Sequence, residues 1–101
     1  MAKAETKIVT KIREALEIEF PESYFRKIHG NPYQHVGIPD LIGCVQGLFI
    51  GLEVKTDTGK TSKIQDIEGQ LIIKAGGIHG VVTSPDEAVM IVKLGLKILY
   101  G

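Results

Sequence analysis

Residues 37–55, GIPDLIGCVQGLFIGLEVK, constrain this chain more than any other stretch. Two short apolar runs are broken at Gln46-Gly47, a pairing that predicts a β-hairpin. In the second run Leu48, Ile50, Leu52 and Val54 alternate with Phe49, Gly51, Glu53 and Lys55, so period-two geometry sends Val54 toward the core. Glu53 and Lys55 then project from the opposite face. The hairpin also brings Asp40, which opens the first run after Gly-Ile-Pro, beside Glu53 on the neighbouring strand.

That combination suits one chemistry. Two converging carboxylates repel each other and offer hard oxygen ligands to Mg²⁺ or Mn²⁺, ions bound through one or two carboxylates, waters and substrate phosphates. A nearby lysine is a compact cation that orients water or stabilises charge on a transferring phosphoryl group. Metal-assisted phosphodiester hydrolysis needs such a set. Each part has an ordinary reading as well: Glu-x-Lys serves as a solvated strand end, and Asp after Pro as a turn residue. The pairing across a hairpin is what carries information.

A length of 101 residues predicts one domain with a single core. The 12 basic and 12 acidic residues cancel, which argues against a purely electrostatic nucleic-acid-binding module. A metal nuclease tolerates that balance, because the bound ion restores positive charge locally. No run approaches the roughly 18 apolar residues of a membrane span, and MAKAETK lacks the apolar region of a signal peptide. The single cysteine, Cys44, excludes an internal disulfide and fits a reducing cytoplasm. Its apolar neighbours predict a small core residue. His29, His35 and Cys44 lack zinc-site spacing.

Residues 4–20 read as an amphipathic helix with Ile8, Ile12, Ala15, Leu16 and Glu19 on one stripe, ended by Pro21. Glu5, one turn before Ile8, lies on or beside that stripe, or is a first-turn acid favoured by the helix dipole. Residues 23–29 alternate as a strand, and the following loop carries His29, Asn31, Tyr33 and His35. With Lys27, this segment either reaches a phosphate backbone or forms an ordinary polar connection. Gly59-Lys60-Thr61 resembles the tail of a P-loop, but Val54 stands where that motif needs its first glycine.

A second helix is predicted over 62–75, with Ile64, Ile67, Leu71 and Ala75 as its stripe. Ser62 and Gln65 form a capping box there, and Gly76-Gly77 ends it. A strand over 78–83 leads to a third helix, with Ser84 as N-cap, Pro85 at N1 and Glu87 closing a second capping box. From Ala88 onward that helix is apolar nearly all round, so it needs cover from the core, a partner subunit or both.

In this order the elements resemble the PD-(D/E)XK nuclease superfamily, and within it the VRR-Nuc (virus-type replication-repair nuclease) group. The resemblance rests on Gly37-Ile38-Pro39-Asp40, Gly51-Leu52-Glu53-Val54-Lys55, then Gly59, Ser62 and Gln65, then Gly76-Gly77 and Val81 to Ser84. It covers nearly the whole chain. It implies an α/β restriction-endonuclease-like fold, αβββαβα, with a mixed central sheet flanked by helices. It further implies that Asp40, Glu53 and the backbone carbonyl of Val54 hold Mg²⁺ or Mn²⁺, and that Lys55 acts on the attacking water or the transition state. Glu5 would be an additional or outer-shell acid, and Gln65 would line the site. Similar small nucleases of phage or bacterial origin look like homodimers, and some relatives resolve four-way DNA junctions. The resemblance therefore implies a metal-dependent endonuclease for structured DNA. A nicking or restriction-type enzyme on duplex DNA and a non-cleaving DNA scaffold are the alternatives.

Overall fold

The computed structural model describes residues 3–30, 35–56 and 59–101, residues 3–5 by backbone alone. The elements follow the predicted order: α1 (Lys3–Glu19), β1 (Ser23–Lys27), β2 (Leu41–Val45), β3 (Leu48–Val54), α2 (Lys63–Lys74), β4 (Ile78–Val82) and α3 (Pro85–Tyr100). The four strands form one sheet in sequence order. β1, β2 and β3 pair antiparallel, and β4 joins β3 in parallel after the α2 crossover. This is the expected αβββαβα arrangement with a mixed sheet. The first strand ends at Lys27, two residues short of the predicted end.

The hairpin forms at Gln46-Gly47, with φ of 52° and 83°. Two successive left-handed residues define the turn whose twist matches antiparallel strands, and Gly47 takes the second position without a Cβ penalty. Its register places Leu41 opposite Leu52 and leaves Asp40 immediately beyond the last pair.

Strand alternation divides the molecule into layers. On one face, Phe25, Leu41, Ile50, Leu52, Val54, Ile78 and Val82 meet Val9, Ile12 and Leu16 of α1 and Ala88 and Val92 of α3. On the other face lies α2. Gly80 abuts Ile91 of α3, whereas its neighbour His79 abuts Gly69 of α2.

Four expectations change here. The α1 stripe is right at Ile12 and Leu16, but Glu19 is exposed and Val9, not foreseen, is buried. The α2 stripe is wrong: Ile64, Ile67 and Leu71 are 47%, 51% and 55% exposed. The face turned to the sheet carries Gln65, Gly69 and Ile72 instead. Cys44 is exposed, because period two puts it with Phe49 and Tyr24 on the α2 side, beyond the helix's cover. The second capping box is half formed. Ser84 Oγ accepts from the Glu87 N–H, but Glu87 Oε1 accepts from the Thr83 N–H at 2.6 Å rather than from Ser84.

Helix α3 buries Ala88 and Val92 against α1 and β4 and leaves Met90, Leu94 and Ile98 open on its outer face. The core therefore supplies cover on one side only. Among the described residues no helix is long and apolar enough to cross a membrane.

Candidate active site

The candidate residues meet at the end of the sheet where β3 finishes and β2 begins. Asp40 precedes β2, and its carboxylate does structural work: Oδ2 accepts the Val54 N–H at 2.8 Å, just beyond the last β2–β3 pair. The Asp40 backbone carbonyl accepts from the Ile28 N–H, which ties in the chain leaving β1. Asp40 is thereby fixed from two strands.

Glu53 has no solvent exposure, and no other charged residue among those described is buried. Its Oε1 accepts from Gln65 Nε2 at 3.0 Å. Its Oε2 is buried with no hydrogen-bond donor among the described residues. Burial pushes this carboxyl up from 4.5 to about 7, the neighbouring Asp40 charge adds to the rise, and Lys55 opposes it. Two carboxyls at one strand end cannot both ionise freely without a cation or a proton between them.

Gln65 is held at both ends. Its Oε1 accepts the Ser62 N–H at 2.8 Å while Ser62 Oγ accepts the Gln65 N–H at 3.1 Å, completing the predicted capping box. The other end of the same amide then reaches Glu53. One side chain both starts α2 and grips the buried acid, so the capping role and the site role coexist.

Lys55 follows β3 and donates its backbone N–H to Val82 at 3.0 Å. It is half-buried and lines a cleft of about 330 Å³ with Lys27, Ile28, His29, Gly30, Asp40 and Val54. Glu5 falls within α1, but its side chain lies outside the described residues, as do Asn31 and Tyr33 of the loop. His35 pairs with Glu68 of α2, so it joins loop to helix.

A solved structure described as a VRR_NUC domain aligns with this chain at a TM-score of 0.65 and 22% identity, covering 91% of this chain and 97% of that one. The fold is that of a VRR-Nuc domain. No family model and no curated protein matches the sequence. On this fold Gln65 donates to Glu53, the Asp40 carboxylate caps the end of the same strand at Val54, and Lys55 follows it.

One residue escaped the sequence. His79 on β4 is paired with Gly51, two residues before Glu53 on β3, and its ring lies under α2. Its Nε2 is buried without a partner among the described residues, and burial lowers its pKa while Asp66 opposes the shift. The signal for it was Gly69, a glycine inside a helix, which marks a close approach.

Proposed function

We propose that this protein is a divalent-metal-dependent nuclease that hydrolyses DNA phosphodiester bonds. The observation that carries the reading is Glu53: a fully buried carboxyl with an orphan oxygen, set against a second carboxyl at a strand end. The Val54 N–H gives Asp40 a structural role, but packing gives no reason to keep a second, fully buried carboxyl beside it, since a buried uncompensated charge costs on the order of 3–5 kcal/mol. A hard cation would remove that cost.

The donors fit Mg²⁺ or Mn²⁺. Both are carboxylates, and one Glu53 oxygen has no hydrogen-bond partner among the described residues. A site that leaves several positions to water and phosphate has this form. Asp40, Glu53 and the Val54 carbonyl would hold the ion, with Glu5 as a further or outer-shell acid. When bound, the ion would acidify a water and neutralise charge developing on a phosphate.

The chain's own residues divide the remaining work. The Val54 N–H aims Asp40, and Gln65 fixes Glu53 while leaving its second oxygen free for a cation. Lys55 lines the cleft, and its ammonium group would orient the attacking water or stabilise the transition state. Lys27 and His29 line the same cleft and would follow a phosphate backbone, contacts that position DNA without reading its sequence.

The neighbouring structure's description as a VRR_NUC domain supports a nuclease over a generic phosphoryl-transfer enzyme. Within that class we favour an endonuclease for structured DNA such as four-way junctions, working as a homodimer. The outer face of α3, with Met90 at 66% and Ile98 at 72% exposure, supports a partner subunit. Paired sites on a two-fold axis suit paired cuts.

The test is cleavage of a labelled four-way junction beside its linear arms, with Mg²⁺ or Mn²⁺. Paired cuts near the junction centre are expected, and Lys55→Ala should lower the rate by about 10²–10³-fold, as loss of one charge-stabilising donor does. Equal cutting of the duplex arms would move the reading to a nicking or restriction-type enzyme. Binding without cleavage in either metal would make the protein a DNA scaffold.

A further inference from the structure

Two contacts join α2 to the sheet in adjacent rungs. In one, the Gln65 amide donates to Glu53. In the other, the His79 ring lies so close to Gly69 that a Cβ there would clash with the ring. Gln65 and Gly69 are one turn apart on the same helix face, about 6 Å along the axis. Glu53 and the His79–Gly51 pair are two residues apart along the strand, about 6.6 Å. The two spacings match, so the rungs are parallel struts between one rigid helix and one rigid sheet.

The His79 rung is steric rather than polar. The ring's Nε2 makes no hydrogen bond among the described residues, and burial favours the neutral imidazole. The ring can approach because Gly69 lacks a side chain; beside it Gly51 leaves room for Ile72 and Pro39, which a Cβ there would meet at 3.0 and 2.9 Å. Most apolar residues of α2 do not set its height, since Ile64, Ile67 and Leu71 face outward; Ile72, against Gly51 and Gly77, is the apolar neighbour of this rung.

We propose that His79 is a positioning residue: its ring, wedged against Gly69, sets the height of α2 above the sheet and so holds the Gln65 amide on Glu53. It touches neither substrate nor reacting atoms. Its consequence for cleavage rests on the nuclease reading above; its consequence for Gln65 does not.

The experiment follows the Gln65 side-chain amide by NMR in the full chain, beside cleavage kinetics. In His79→Ala the two amide protons should move to the shifts of a free glutamine, and kcat should fall about tenfold with KM little changed, the scale of effect seen when an outer-shell partner is lost. His79→Phe, which keeps a flat ring and removes both nitrogens, should restore both readouts. Gly69→Ala should displace the amide from the helix side, and adding His79→Ala to it should cost less than the sum of the two changes, as residues in contact do. That arm also serves if His79→Ala alone fails to fold. An unmoved Gln65 amide in His79→Ala or in Gly69→Ala overturns the proposal, and so does a His79→Phe as impaired as His79→Ala. If the parent chain binds DNA but cuts nothing, the nuclease reading falls, and the amide signals still decide the role of His79.

Discussion

Helices α1 and α2 carry similar apolar stripes in the sequence and use them in opposite ways. In α1, Ile12 and Leu16 are fully buried between the sheet and α3. In α2, Ile64, Ile67 and Leu71 point outward, and the sheet-facing side is Gln65, Gly69 and Ile72. The first helix is placed by the hydrophobic effect. The second is placed by an amide that grips a buried acid, a glycine that admits a ring, and one isoleucine. A helix that serves a site can spend its inward face on polar contact and close approach, and its apolar residues are then displaced to the rim. There Leu71 lines an apolar groove with Ile42, Leu48, Phe49 and Ile72.

The contrast predicts where substitutions hurt. Leu16→Ala should destabilise the fold by about 2–5 kcal/mol, as truncation of a buried leucine does, while Leu71→Ala should stay within about 0.5 kcal/mol; urea unfolding of the two variants measures both. Equal losses would erase the distinction between the helices.

Glu53 gives the next effect. Its carboxyl is raised from 4.5 to about 7 in the folded chain, so between these values the folded state binds more protons than the unfolded state. The stability associated with its proton is therefore complete below the unfolded value and is lost as pH rises through about 7. At about 1.4 kcal/mol per pH unit, the loss is on the order of 3 kcal/mol. Glu53→Gln should remove most of this loss at pH 8, read as a higher Tm than the parent. Mg²⁺ or Mn²⁺ should raise the parent's Tm at that pH and leave Glu53→Gln nearly unmoved. His79 has the opposite sign: with its pKa lowered, its contribution is present above the unfolded value near 6.5 and declines as pH falls below it. A stability profile of His79→Phe should lack that acid-side decline.

The smallest effect separates the two roles of the α2 start. Ser62→Ala removes the hydroxyl that accepts the Gln65 N–H and should cost about 1 kcal/mol. The Ser62 N–H still holds the Gln65 amide from the other side, so the contact with Glu53 should persist, with cleavage changed less than by Gln65→Ala.

Much of this arrangement was legible in the sequence. Asp40 and Glu53 were brought together by a hairpin whose turn residues and alternation agree, and Gln65 was marked by its capping partner. The inward face of α2 was not legible, because apolar periodicity counts side chains and this face is built from a glycine and an amide. Cys44 was misread for a related reason: an apolar run fixes alternation, but not how far a short helix covers the face. The second role of Glu87 failed at the scale of one residue, where Thr83 rather than Ser84 presents its N–H. His79 was hidden because its partner is backbone.

The Asp40–Val54 hydrogen bond has a consequence for descent. The acid that would hold a metal also occupies the position of a missing strand pair, so a lineage cannot discard it freely once cleavage is no longer needed. Asparagine at 40 keeps an oxygen for the Val54 N–H, and glutamine at 53 keeps one for Gln65. Descendants that ceased to cut should therefore carry amides at these two places rather than random replacements, and would be hard to tell from working enzymes by shape alone.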